Sequence, residues 1–144
     1  MQTRLTQNLL NPALTAEADK ILRSCVHCGF CIATCPTYQI FLDELDGPRG
    51  RIYLIKQMLE GDKPTKKTQI HLDRCLSCRS CETTCPSGVQ YSRLLDIGKQ
   101  FVEQQIKRSL PGKLARKSLL SLLLSKKLFH LLISVLQPVS ALLP

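Results

Sequence analysis

The strongest constraint on what this chain can fold into is a run of cysteines that occurs twice, 50 residues apart. The first run is Cys25-Val-His-Cys28-Gly-Phe-Cys31-Ile-Ala-Thr-Cys35-Pro36, and the second is Cys75-Leu-Ser-Cys78-Arg-Ser-Cys81-Glu-Thr-Thr-Cys85-Pro86. Both read C-x2-C-x2-C-x3-C-P, and together they use all 8 cysteines of the 144-residue chain. Three thiols with two residues between each can wrap three corners of a metal–sulfur cube from a single loop. Backbone N–H groups between them can then face the sulfurs and spread negative charge. The fourth cysteine is already leaving the loop, and Pro36 and Pro86 turn the chain there without contributing an N–H.

This spacing is the run that holds 4Fe–4S clusters in two-cluster ferredoxins, where the fourth cysteine reaches the other cluster. The expected ligand sets are therefore Cys25, Cys28, Cys31 and Cys85 for one cluster, and Cys75, Cys78, Cys81 and Cys35 for the other. Crossed ligation of this kind makes the cubes neighbours and gives electrons a short path. Zinc sites of four cysteines show two separated CxxC pairs and not triplets followed by Cys-Pro. Disulfides are disfavoured because the N-terminal residues 1–8 carry no apolar signal stretch, so a reducing cytosol is expected. His27 lies inside the first triplet, but a cube already has four thiolates. The expectation is that it faces solvent or hydrogen-bonds near a sulfur. His71 and His130 have no partner motif and read as ordinary. Arg79 stands where the first run has Gly29, either adding positive charge beside the second cluster or lying solvated.

The rest of the chain reads as helix. Asn11-Pro12 is a helix start, and Leu14, Ala18, Ile21, Leu22 and Cys25 follow at helical spacing. A second helix spans Arg49 to Glu60 with Ile52, Ile55, Met58 and Leu59 on one face, and Gly61 suits its stop. Before it, Asp46-Gly-Pro-Arg-Gly-Arg51 reads as a tight turn, with a partner contact as the alternative. Residues 62–67 form a polar connection, and Thr68 is expected to cap a short helix leading to Cys75. A further helix runs from about Tyr91 to Lys107, closed by Pro111-Gly112. No stretch alternates apolar and polar residues for long enough to read as a strand. The fold class expected is all-α: an α-helical ferredoxin-like domain over residues 1–110, then a basic, leucine-rich helical tail over 111–144.

Charge narrows the partners. The chain carries +9 with His neutral, and residues from Lys99 onward hold eight of its basic side chains against Glu103. Two oxidised cubes at about −2 each lower the total to about +5. The tail interleaves its Lys and Arg with Leu and not with stacking aromatics, so no nucleic acid is expected. Lys126 and Lys127 interrupt the leucine run, and its longest uncharged stretch, Leu128 to Pro144, falls short of the about 20 apolar residues that a spanning helix needs. A basic leucine-rich helix instead suits a membrane surface or a docking face. The sequence has no dinucleotide fingerprint after a strand, no phosphate-binding loop, no nucleophile elbow, no HExxH and no evident flavin site. It can carry electrons but offers no place to oxidise an organic substrate.

Beyond the cysteines, the segments Thr34-Cys-Pro-Thr-Tyr38, Asp43-Glu-Leu-Asp-Gly-Pro-Arg-Gly-Arg-Ile-Tyr-Leu-Ile-Lys56, His71-Leu-Asp-Arg-Cys75, Cys81-Glu-Thr-Thr-Cys-Pro-Ser-Gly88 and Leu94-Leu-Asp-Ile-Gly98 carry a family resemblance. The chain resembles the iron–sulfur subunit of bacterial glycolate oxidase (glycolate dehydrogenase) over roughly residues 15–110. It is similar, more distantly, to the iron–sulfur subunits of anaerobic glycerol-3-phosphate dehydrogenase, lactate-utilisation systems and heterodisulfide reductase. The resemblance implies an α-helical ferredoxin fold with two 4Fe–4S clusters between short helices. It implies partners that carry the FAD, flavin-containing glycolate oxidase subunits that oxidise glycolate to glyoxylate and pass electrons through these clusters towards a quinone or other acceptor. The expected location is cytoplasmic, with peripheral contact at the inner membrane. Members of that family continue into a larger C-terminal region with cysteine-rich CCG motifs. With no cysteine after Cys85, this chain is expected to correspond to an N-terminal segment. The alternative function is a standalone dicluster electron carrier, or an iron–sulfur subunit of a related lactate or glycerol-3-phosphate dehydrogenase.

Overall fold

The computed structural model describes residues 1–6, 11–108, 110–130 and 133–134. The chain divides into two units, Met1–Ile106 and Lys107–Pro144. Among the described residues of the first unit seven helices follow in order: α1 (Pro12–Ser24), α2 (Phe30–Ala33), α3 (Pro36–Phe41), α4 (Pro48–Leu59), α5 (Lys66–Asp73), α6 (Ser80–Thr83) and α7 (Tyr91–Gln105). A 3-10 turn, Glu44–Asp46, precedes α4. Among the described residues there is no strand.

Helix starts follow local chemistry. Asn11 Oδ1 accepts from the Ala13 N–H at 3.0 Å while Pro12 takes the first helical position, which satisfies one of the donors that a helix start leaves unpaired. Pro36 and Pro48 likewise take the first positions of α3 and α4, there without a side-chain cap. The cap of α5 is Thr65, not Thr68. Thr65 Oγ1 accepts from the Thr68 N–H and Thr68 Oγ1 accepts from the Thr65 N–H, both at 3.2 Å. The helix therefore begins inside the expected polar connection, because two threonines three residues apart form a reciprocal box. Pro111 and Gly112 also depart from expectation. The helix they were expected to close ends at Gln105, and both lie in the first turn of α8 (Leu110–Leu124), where proline's missing N–H costs no hydrogen bond.

The core of the first unit forms where α1, α4, α5 and α7 turn their apolar stripes inward. Leu22, Ile55, Leu72, Leu94 and Ile97 are all closed to solvent there, and each such side chain contributes about 1.5–3 kcal/mol by leaving water. The chain's beginning is tied to this bundle, since the Thr6 N–H donates to Leu59 O at 2.9 Å and the Met1 ammonium to Cys25 O at 2.9 Å. In the second unit, α8 buries none of its residues, and Leu110, Leu114, Leu120 and Leu124 are all exposed. No helix among the described residues is long and apolar enough to cross a membrane. Gln7–Leu10 and much of the segment after His130 lie outside the described residues.

Candidate metal centre

The two cysteine runs take up the same backbone path. In each, the first cysteine leads into a loop with two residues in the left-handed region, His27 (φ 56°) and Gly29 (φ 87°) in the first, Ser77 (φ 54°) and Arg79 (φ 62°) in the second. A single helical turn follows, α2 or α6, and the fourth cysteine comes just after it. Left-handed backbone costs a residue with a Cβ about 1–2 kcal/mol, so three non-glycine residues held there mark loops whose shape is imposed by more than local preference. Gly29 meets that demand freely, and Arg79 meets the same demand with a side chain attached.

Two small cavities result, of about 30 and 20 Å³. Cys25, Cys28 and Cys31 line the first together with Cys85, which arrives from the other loop. Cys75, Cys78 and Cys81 line the second together with Cys35, again from the opposite loop. The cavities are adjacent, because Pro48, Cys81 and Tyr91 stand in the walls of both. Cys25, Cys35 and Cys81 are buried, whereas Cys28 and Cys78, the middle cysteines of the two triplets, are exposed. All eight sulfurs are free of disulfides.

The walls carry a consistent sign of charge. Arg49 lines the first cavity, Arg51 and Arg79 line the second, and no Asp or Glu lines either. The start of α4 adds to this, since Pro48 opens a 12-residue helix there and a helix N-terminus carries partial positive charge. Burial raises the Cys31 thiol to about 11, with Cys25 as the next contributor, and raises Cys81 to about 12, with Cys75 next. Cys78 moves the other way because Ser80 Oγ donates to its sulfur at 3.5 Å. Buried thiols such as Cys31 and Cys81 give up their protons at neutral pH when a cationic metal faces them. A donor set of sulfur alone, in walls lined by cations and apolar groups, fits a thiolate-ligated iron–sulfur cube of net negative charge.

Around the second cavity lies a buried ionic network for which the sequence offered no motif. Asp46 and Arg51 are 0% and 1% exposed. Asp46 Oδ2 accepts from Arg74 Nη1 at 2.7 Å, and His71 Nδ1 lies 3.0 Å from Asp46 Oδ1. Burial works to raise the Asp46 pKa, but the hydrogen bonds from His71 and Arg74 outweigh it and hold the carboxyl below its ordinary range. His71 is therefore not ordinary, and Asp46 and Arg51 face inward and not towards a partner. The signal that marks Arg51 is its position, one helical turn before Ile55 on the apolar face of α4. His27 sits in the first cavity's wall with Nε2 3.1 Å from Met1 Sδ. Burial, followed by Arg49, lowers its pKa. Arg79 pairs with Glu82 at 2.8 Å while staying largely exposed.

Comparison with known proteins gives these cavities a context. Residues 24–89 match the family model described as "4Fe-4S dicluster domain". The chain is 67% identical over 119 residues to the "Glycolate oxidase iron-sulfur subunit" of Escherichia coli (strain K12), a stretch covering 83% of this chain and 29% of that protein. It is 41% identical over 99 residues to the "Probable glycolate oxidase iron-sulfur subunit" of Bacillus subtilis (strain 168), covering 67% of this chain and 22% of the relative. At 29% identity over 96 residues it matches the "Uncharacterized electron transport protein YkgF" of E. coli, covering 63% of this chain and 19% of that one. The chain thus spans less than a third of the length of these relatives, and no solved structure matches it. Its cofactors are two 4Fe–4S clusters, the content of a dicluster domain. Residues 24–89 thus match a dicluster domain, and over the stretch shared the chain is similar to the glycolate oxidase iron–sulfur subunits.

Proposed function

We propose that this chain is an electron-transfer iron–sulfur component of a glycolate-oxidising assembly, taking electrons from flavin-containing partner subunits and passing them towards a quinone or other acceptor. The observation that carries the reading is that each triplet's cavity also receives the fourth cysteine of the other run, Cys85 in the first and Cys35 in the second. In this reading Cys25, Cys28, Cys31 and Cys85 hold one cluster, and Cys75, Cys78, Cys81 and Cys35 hold the second. When bound, each cluster takes up and gives back one electron at a time.

The protein's part in that exchange is placement and electrostatics. Cys35 and Cys85 each belong to one loop and serve the other, so the two cavities cannot separate without breaking ligation. Pro48 and Tyr91 form the common wall and keep water out of it, Tyr91 being 4% exposed. Tyr91 Oη lies 3.7 Å from Cys75 Sγ and can donate to that sulfur. Exposed Cys28 and Cys78 leave one edge of each cavity open to an approaching redox partner. Substrate oxidation belongs to the partners in this scheme. The location we infer is cytoplasmic. Peripheral contact with the inner membrane is supported by the exposed leucines of α8 beside Lys113 and Lys117.

The test is affinity purification of the tagged chain from its native host under anaerobic conditions. Flavin-containing subunits are expected to accompany it, and glycolate is expected to bleach the cluster absorbance of the isolated assembly. A chain that stays alone, or an assembly whose clusters glycolate leaves oxidised, would overturn the proposal. Sedimentation with vesicles containing anionic lipid tests the membrane contact separately.

A further inference from the structure

We propose that Arg51 selectively raises the reduction equilibrium of one cluster, the one read here as held by Cys35, Cys75, Cys78 and Cys81, and leaves the other nearly untouched. The inference rests on that reading of the ligands.

Arg51 leaves the first turn of α4 and walls the second cavity but not the first. Its guanidinium is 1% exposed and is held on three sides. Nε donates to His71 O at 2.6 Å, Nη1 donates to Thr37 Oγ1 at 3.2 Å, and Nη2 lies 3.5 Å from Asp46 Oδ1. Nη2 has no hydrogen-bond acceptor among the described residues. A buried cationic donor without an acceptor is costly unless negative charge lies nearby, and the adjoining cavity is where a tetrathiolate cluster would supply it. Thr37 links the guanidinium to a sulfur. Thr37, which accepts from Arg51, has its Oγ1 3.2 Å from Cys35 Sγ.

The surrounding charges leave Arg51 with positive field to spare. Asp46 is the carboxylate paired with it, and the same carboxylate is bound by Arg74 and faced by His71. One anion is thus shared by two guanidiniums. With little water to screen it, that excess favours the more negative, reduced state of the adjacent centre. Arg79 is a weaker candidate, because its side chain is 67% exposed and is neutralised by Glu82.

The experiment is anaerobic redox titration of the two clusters by EPR in the full chain, with iron and sulfide measured on each sample. Arg51→Gln removes the charge, and Arg51→Lys keeps the charge while losing the planar fork. Arg51→Gln is expected to lower the one-electron reduction equilibrium constant of one cluster about tenfold, which is 59 mV, and to move the other by less than about threefold. Arg51→Lys is expected to stay within about threefold of wild type at both clusters. Asp46→Asn removes the counter-charge and is expected to raise the same cluster that Arg51→Gln lowers. Intact clusters with unmoved potentials, or equal shifts at both, would overturn the proposal. Loss of iron from both Arg51→Gln and Asp46→Asn would show a purely structural role and overturn it as well. A wild-type chain lacking two clusters would instead refute the ligand reading beneath it.

Discussion

Gly98 of α7 lies directly against Ile55 of α4, so close that a Cβ built on the glycine would come within 2.6 Å of Ile55 Cγ1 and 2.8 Å of its Cδ1. The missing side chain is what lets the two helices approach and bury Ile55 completely. Since α4 also delivers Pro48, Arg49 and Arg51 to the cavities, this contact bears on the site as well as on the core.

Gly98→Ala is therefore expected to destabilise the holoprotein by about 1–3 kcal/mol through overpacking, despite alanine's better helix propensity. Ile55→Ala, which removes both clashing atoms, should cost less in that variant than in wild type. Urea denaturation of both variants checks the coupling, and additive effects of the two substitutions would contradict it.

Cys35→Ser and Cys85→Ser test crossed ligation. Each is expected to damage the cluster served by the opposite triplet, so Cys35→Ser affects the Cys75 loop and Cys85→Ser the Cys25 loop. Low-temperature EPR of the reduced proteins should lose a different one of two signals in each variant. Loss of the same signal in both would rule out the assignment.

Asp46→Ala leaves Arg51 buried without its carboxylate and is expected to cost about 3–5 kcal/mol at neutral pH. The pH dependence follows from the lowered Asp46 pKa. Its stabilisation is complete above the ordinary value of 3.8 and drains away only as acid takes the pH down through the lowered one. The stability gap between wild type and Asp46→Ala, read from denaturant midpoints, should hold steady from neutral pH to about 4 and narrow below it.

Leu42 ends α3 in the left-handed region (φ 53°) with its side chain 77% exposed. Glycine at that position relieves the backbone without losing buried surface. Leu42→Gly is expected to stabilise the protein by about 1 kcal/mol, visible as a higher thermal midpoint with iron content unchanged.

Much of this arrangement was legible in the chain because its signals are local. The starts of α1 and α4, the apolar face of α7 and the doubled cysteine run each declare themselves within a dozen residues. Four-residue helices such as α2 and α6 are too short for periodicity to reveal, and they exist because the loop around each cavity closes back on itself. Thr65 lost the cap of α5 to Thr68 in sequence reading, since either threonine suits the role and only the reciprocal box decides. The Asp46–Arg51–His71–Arg74 network was hidden for a different reason. Its members are spread over nearly 30 residues and look like solvated charges until α4 and α5 bring them to one place.

The two thiol loops are near copies, each presenting its middle cysteine, Cys28 or Cys78, to the outside. Two loops so nearly alike lend a conductor little polarity of their own. Which terminal receives and which delivers must then be decided by the part of the sequence that was never duplicated, the stretch from Asp46 through α4. In that sense the repeat supplies the wire, and the unrepeated segment gives it a forward and a reverse.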